Sequence, residues 1–238
     1  MHFESRVGHI GGNLSALDAL MVLHHEVMRP DDAFILSKGH AAGALYVALW
    51  SRGVLQDADL RTFHGDGTRL AGHPAPGWSP QIPIATGSLG HGLPVAIGMA
   101  MGWRARGRDG HLYCLTSDGE WQEGSTWEAL IFLAHRRLAN ITVLVDVNGL
   151  QGFGTTHEVA SMDDLKEKIA AFGLEVVEVD GHAPLKIRDT LKRHPGAVVM
   201  LRTVKGAGVS FMENRMEWHY LPMSPEQYEM ALREIGNS

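Results

Sequence analysis

One feature narrows the fold more than any other: short apolar runs alternate with segments of helical periodicity along most of the chain. The apolar runs fall at 33–36, 111–116, 141–145, 175–179 and 197–203. Helical spacing occupies 14–27, 41–52, 93–106, 123–137, 162–172, 184–192 and 225–235. Runs such as Ile141-Thr-Val-Leu-Val145 are almost continuously apolar rather than alternating, as expected of strands buried on both faces. The pattern therefore predicts an α/β fold, a three-layer parallel sheet with helices on both faces. No composition shift or repeat divides it, so residues 1–238 read as one domain. In the first helix Leu14, Leu17, Leu20, Met21 and Leu23 form the apolar stripe, and Asn13 or Ser15 is placed to cap it. Gly53 marks the stop of the second helix. Residues 62–92 are rich in Gly, Pro and His without periodicity, the profile of a long functional loop.

In open parallel sheets, ligands bind outside the carboxyl ends of the strands. The loops after Leu36, Thr116, Val145 and Thr203 should meet there, and they carry His40, Asp118, Asn148 and Lys205. Composition excludes several other functions. A net charge of −6 argues against nucleic-acid binding, which needs a concentrated basic surface. No apolar stretch is long enough to span a bilayer. The single cysteine, Cys114, sits in a strand-like run, reads as a core residue, and fits a reducing, cytoplasmic setting. The 14 histidines invite a search for a metal cluster, but no His-Glu-x-x-His run exists and one Cys excludes a zinc ribbon. Most of them, among them His24, His25, His111, His135, His157 and His194, lie where ordinary core or surface roles suffice.

Asp118 and Asn148 each follow an apolar run and are thirty positions apart with a helical segment between them. A strand–helix–strand unit of that length sets the carboxylate and the amide oxygen side by side at neighbouring strand ends. Hard oxygen donors suit magnesium or calcium, and magnesium completes its shell with phosphate oxygens. The main-chain carbonyl of Leu150 is the candidate third protein ligand. Gly119 allows the backbone to approach a phosphate, and a helix start beside it favours an anion. Singly, Asp118 as a helix cap and Asn148 as a turn residue are the plainer alternatives; the pairing favours a metal–diphosphate site.

Ser117-Asp-Gly-Glu120, followed by Asn148-Gly-Leu150, resembles the thiamine diphosphate motif of the transketolases. The likeness extends over nearly the whole chain. It includes Val7-Gly-His-Ile-Gly-Gly12, Leu36-Ser-Lys-Gly-His-Ala41, Ala71-Gly-His-Pro74, Thr86-Gly-Ser-Leu-Gly-His-Gly92, Glu123-Gly-Ser-Thr-Trp-Glu128 and Glu217-Trp-His219, in family order. The resemblance is strongest to the two-chain bacterial type, and it implies a thiamine diphosphate-binding fold of the diphosphate-binding kind. It implies that Asp118, Asn148 and the Leu150 carbonyl hold magnesium, or calcium or manganese. His40, Gly87, Ser88, Leu89, Gly119, Asn148, Lys205 and His219 would line the cofactor. His9, His73 and His219 would face the sugar, and Glu123 and Glu128 would lie at a contact between two copies of the chain. Imidazole suits that chemistry, since ketol transfer develops an alkoxide from a carbonyl and moves hydroxyl protons near pH 7. A carboxyl pair at i and i+5 is also compatible with a plain solvated helix face.

The same resemblance implies a partner. In this family a glutamate that activates the cofactor belongs to a pyrimidine-binding domain, and after the 225–235 helix no room is left for one. A C-terminal transketolase-like subunit would supply it, giving an α2β2 assembly. Two departures stand out: Ser117 replaces a glycine of the usual motif, and only eight residues precede His9 where relatives carry a further helix. The implied activity is transfer of a two-carbon ketol unit from a ketose phosphate to an aldose. Delivery by the same chemistry to a carrier-protein thiol or an unusual sugar is the alternative. A nicotinamide oxidoreductase lacks its Gly-x-Gly-x-x-Gly context here. A non-catalytic binding subunit would retain cofactor residues, but His9, His73 and His219 argue against it.

Overall fold

The computed structural model describes residues 1–236. Five parallel strands form the central sheet: β1 (Ala33–Leu36), β2 (Leu112–Ser117), β3 (Ile141–Val147), β6 (Val176–Asp180) and β7 (Val198–Arg202), in the order β1-β2-β3-β7-β6. A two-residue ribbon, β4 (Leu150–Gln151) against β5 (Gly154–Thr155), folds over the tip of β3. Seven helices complete the frame: α1 (Ile10–Val22), α2 (Ala42–Ser51), α3 (Gly92–Ala105), α4 (Gly124–Arg136), α5 (Leu165–Ala170), α6 (Pro184–Arg193) and α7 (Pro225–Gly236). One-turn helices at His2–Ser5, Asp57–Leu60 and Thr156–Ala160 lie between them.

Strand alternation sorts the core into two layers, because successive side chains point to opposite faces. Phe34, Leu36, Tyr113, Leu115, Leu144, Val199 and Leu201 pack against α1, α2 and α6. Ile35, Leu112, Cys114, Val143, Val145, Val198 and Met200 face α3, α4 and α5. Every middle strand is thus apolar on both sides, which is why its sequence shows a run. Each fully buried Leu or Val contributes roughly 1.5–3 kcal/mol, so the sheet interior is the least adjustable part of the molecule. Small residues, Ala16 and Ala19 on α1 with Ala44 and Ala48 on α2, bring those two helices close together. A third cluster, Val209, Met212, Trp218 and Ala231 with Ile10 and Leu14, fastens the segment after β7 to the start of α1.

Several local expectations are corrected. The first helix begins at Ile10, not at 14, and widens into a π-helical turn over Leu23–Val27. Asn13 and Ser15 are therefore inside it, not caps. Asn13 Nδ2 donates to the carbonyls of His9 (2.8 Å) and His40 (3.1 Å), while its Oδ1 accepts the Ala44 N–H at 2.7 Å. Tertiary bonds here override the poor helix propensity of Gly11 and Gly12. The 162–172 helix shrinks to Leu165–Ala170, and residues 150–160 hold the unforeseen ribbon and short helix. Residues 62–91 carry no helix or strand, as the composition indicated.

Candidate active site at the carboxyl ends of β1, β2, β3 and β7

A cavity of about 220 Å³ opens at this edge, lined by His9, Gly12, Lys38, His40, His73, Gly87, Leu89, Ser117, Gly119, Asn148, Leu150, Gln151, Gly152, Phe153, Lys205, His219 and Tyr220. Parallel register accounts for the convergence. Ser117 of β2 sits level with Asp146 of β3, so the two loops leave the sheet side by side. The loops after β1 and β7 flank them.

Asp118, only 2% exposed, is not part of that lining but bonds to two residues that are, Gly119 and Asn148. Its Oδ2 accepts the N–H groups of Asn148 (3.0 Å) and Gly149 (2.6 Å), and its Oδ1 accepts that of Gly119 at 2.8 Å. Those bonds fix the β3 tip against the β2 tip. Burial, then the charge of Asp146, push the Asp118 carboxyl up to about 6 despite these donors. Asn148 Oδ1 accepts the Leu150 N–H at 3.0 Å and keeps a second lone pair. Among the described residues no group of three or more His, Cys, Asp and Glu gathers for a metal. The set here is different in kind: one desolvated carboxylate, one amide oxygen and one main-chain carbonyl, with phosphate oxygens to complete the shell. A carboxylate that its surroundings disfavour as an anion is a fitting ligand for a divalent cation.

Ser117, where the family motif has glycine, has φ −105° and ψ 160°. That backbone is open to any residue, so no glycine is needed. Gly119 is crowded instead: a Cβ there would lie 3.0 Å from Gln151 Cβ.

A buried ion pair joins Lys38, which lines the cavity, to Asp146. Lys38 Nζ also donates to the Gly12 carbonyl at 3.0 Å, and Asp146 accepts the Ser15 hydroxyl at 2.6 Å and the Thr203 hydroxyl. Burial alone would raise Asp146, but Lys38 and these hydroxyls hold it below the usual carboxylate range. Glu120 plays a similar bridging part. Its carboxylate accepts the N–H groups of Gly90 (2.9 Å) and Ser117 (3.2 Å) and the Ser37 hydroxyl, tying three loops together. Neither bridge was foreseen, although Lys38 sits in a quoted motif. A charge at the end of an apolar run, as at Asp146, was the available signal.

Four imidazoles line the cavity. The His9 ring centroid lies 5.0 Å from His219, 5.6 Å from His40 and 6.1 Å from His73, and His40 lies 5.5 Å from His219. His9 holds a left-handed conformation, φ 66°, at the helix N-terminus, where its N–H donates to the His219 carbonyl at 3.1 Å. A non-glycine residue in that region stores about 1 kcal/mol or more of strain. Its Nδ1 is buried with no hydrogen-bond partner among the described residues. Burial, then neighbouring positive charge, lowers His9 to about 4 and His219 to about 3, and holds His40 and His73 below the ordinary imidazole value. Lys205 Nζ lies 2.9 Å from His219 Nδ1 and is lowered to about 8, chiefly by burial and then by Lys38. Gly87, φ 145°, lets the 86–90 turn approach His73; a Cβ would come within 2.9 Å of that ring.

The cavity therefore gathers His9, His40, His73, Gly87, Leu89, Gly119, Asn148, Leu150, Lys205 and His219, whereas Asp118 lines a neighbouring cleft that shares Asn148 with it. Ser88 is exposed on the far side of the same turn, beside His91. Glu123 and Glu128 stand outside the cavity, exposed at the N-terminal half of α4. Cys114 is fully buried in β2, with its thiol pushed well up by burial and Glu120. Among the described residues no helix is long and apolar enough to cross a membrane.

Comparison with known proteins bears on the family and the fold. The family described as "Transketolase, thiamine diphosphate binding domain" matches residues 4–237. One of the subunits of the apulose-4-phosphate transketolase of Actinobacillus succinogenes is 39% identical over 241 residues, covering 96% of this chain and 87% of that protein. A 6-deoxy-6-sulfo-D-fructose transketolase subunit from a Clostridium species is 35% identical over 243 residues, covering 96% and 88%. Transketolase from Leishmania mexicana superposes with a TM-score of 0.80 at 25% identity, covering 95% of this chain; the chain spans only 41% of that structure's length.

Proposed function

Because the chain belongs to the transketolase family, as its thiamine diphosphate binding part, we propose that it is the diphosphate-binding subunit of a two-chain transketolase, moving a two-carbon ketol unit from a ketose phosphate to an aldose acceptor. It is a transketolase-type transferase subunit that takes thiamine diphosphate. The observation that carries the reading is the junction of two neighbouring strand tips, where Asp118 grips the Asn148–Gly149 backbone, and Asn148 shares a cavity with four imidazoles. When bound, thiamine diphosphate supplies the nucleophilic carbon and the electron sink for cleaving the ketose carbon–carbon bond.

The chain's own residues do the rest. Asp118, Asn148 Oδ1 and the Leu150 carbonyl hold magnesium, and Lys205 and the Gly119 backbone receive the diphosphate. His9, His73 and His219 are neutral at pH 7, because burial holds their rings below the usual value. Neutral imidazoles donate to sugar oxygens without bringing a fixed charge. As a substrate hydroxyl becomes a carbonyl on carbon–carbon cleavage, the bare nitrogen of a neutral ring takes its proton, and the imidazolium so formed can return that proton to an alkoxide.

Lys38 is already committed to Asp146, which leaves the phosphate end of a sugar to a second chain. That partner is a C-terminal transketolase-like subunit with the pyrimidine-binding domain, in an α2β2 assembly, this chain being one domain over residues 1–238; relatives whose names mark them as single subunits of larger transketolases support it. Self-contact through α4 is supported by exposed Ile131 and Phe132 beside Glu128 and by exposed Val95. A cytoplasmic setting is the reading that a single cysteine, with no second one for an internal disulfide, supports. An unusual sugar in place of a common pentose or hexose phosphate is favoured by the relatives named for apulose 4-phosphate and 6-deoxy-6-sulfofructose. Turnover assays of the chain mixed with its partner, across ketose phosphate donors and several aldoses, test this. Ketol transfer is expected; inactivity with every donor while the cofactor binds would overturn the assignment.

A further inference from the structure

His182 lies outside the cavity, in the turn between β6 and α6. Its Nδ1 is 2.9 Å from Asp18 Oδ2 on α1, and its Nε2 is 2.9 Å from the backbone nitrogen of Val204. A backbone N–H can only donate, so Nε2 must be the bare nitrogen and Nδ1 must carry the proton toward Asp18. The ring is thereby locked in one neutral tautomer. What it holds is the loop that delivers Lys205. Thr203 N–H is anchored on the Val147 carbonyl at 3.1 Å and Gly206 N–H on the Gly11 carbonyl at 3.0 Å; His182 supplies the anchor between them.

We infer that His182 is a positioning residue that seats Lys205 for the diphosphate only while its Nε2 is unprotonated, through Asp18–His182–Val204. The inference rests on reading Lys205 as a diphosphate contact. Protonated Nε2–H would face the Val204 N–H donor to donor, and the loop would lose its middle anchor. The charged groups around the ring are Asp18 of α1, Asp180 of its own turn and Asp146 of β3, the last paired with Lys38. The Asp18 bond raises His182 above the ordinary 6.5 while partial burial opposes it. The change therefore falls above the ordinary imidazole value, whereas His9, His40, His73 and His219 are held lower.

The test titrates thiamine diphosphate with magnesium calorimetrically at pH 8 and pH 6, using the full chain as wild type and as His182→Gln, whose amide oxygen can still accept but cannot titrate. Losing one backbone hydrogen bond changes an equilibrium by about tenfold. Wild type is expected to lose about tenfold more affinity than H182Q across that interval. Ionisation of Asp118 and of the cofactor's phosphate affects both proteins alike and cancels. Asp18→Asn, which leaves an acceptor but no anion, should move the wild-type break to lower pH. Parallel pH profiles for wild type and H182Q would overturn the inference. Amide exchange at Val204 provides a readout free of the cofactor: its protection factor, taken against the intrinsic rate at each pH, should fall in His182→Ala and at low pH in wild type, and unchanged protection in H182A would equally overturn it. If no protein binds the cofactor, the diphosphate reading itself falls, and with it the part of the inference that concerns Lys205.

Discussion

Asp118→Asn separates a metal ligand from a structural cap, because the two roles predict opposite signs in the cofactor-free chain. Burial and Asp146 push the Asp118 carboxyl from 3.8 to about 6, which corresponds to about 3 kcal/mol of cost for carrying its charge at pH 8. A group raised in the folded state contributes stability below its unfolded value and loses it as pH rises through the folded one. That cost is therefore absent near pH 4 and complete above pH 7. The neutral amide removes it but presents an NH2 where one backbone N–H now donates, giving back roughly 1–2 kcal/mol. D118N should thus be about 1–2 kcal/mol more stable than wild type in urea at pH 8, with the gap closing by pH 5. Saturating thiamine diphosphate and magnesium should invert the order, since ligand at a hundred times Kd stabilises wild type by about 2.7 kcal/mol and D118N hardly at all. If D118N were instead the less stable at pH 8 and still gained from the cofactor, Asp118 would be a cap for the β3 tip and nothing more.

Other outcomes follow from the same structure. His9→Ala should keep cofactor affinity but lower turnover with the partner subunit by about a hundredfold or more, as for loss of one preorganised oxyanion donor; affinity falling in parallel would move His9 to the cofactor. His2 and His24 are buried and lowered to about 4, mainly by desolvation. Since the unfolded chain protonates them near 6.5, stability should fall between pH 6.5 and 4 by up to about 3 kcal/mol for each. Together they outweigh the opposing Asp118 contribution, and a urea midpoint flat over that range would contradict the burial argument. Lys38→Met leaves Asp146 buried without its counter-charge and should cost about 3–5 kcal/mol in urea. A midpoint unmoved by K38M would show that water or a cation already serves Asp146.

The sheet was legible because each middle strand is apolar on both faces, so runs such as Ile141–Val145 could hardly be anything else. Loop convergence followed from topology, and the spacing of Asp118 and Asn148 then placed oxygen donors together. The short ribbon was not read, since two-residue strands have no period; the helix after it was readable in Thr155-Thr-His-Glu158, a capping box in which the Glu158 N–H donates to Thr155 Oγ1 at 3.1 Å. The start of α1 was misjudged because its cap is made by tertiary contact. His9 and Asn13 are fixed by residues 27 to 210 positions away, which local propensity does not report. The Lys38–Asp146 and Glu120–Gly90 bridges are pairings across loops and became visible only when the loops met.

A crystal structure of the chain with thiamine diphosphate and magnesium tests the central claim most directly. The account predicts one octahedral ion at about 2.1 Å from Asp118, Asn148 Oδ1 and the Leu150 carbonyl, its remaining sites filled by diphosphate oxygens and water. A diphosphate seated elsewhere, or an ion that leaves Asp118 bonded only to backbone N–H groups, would contradict it.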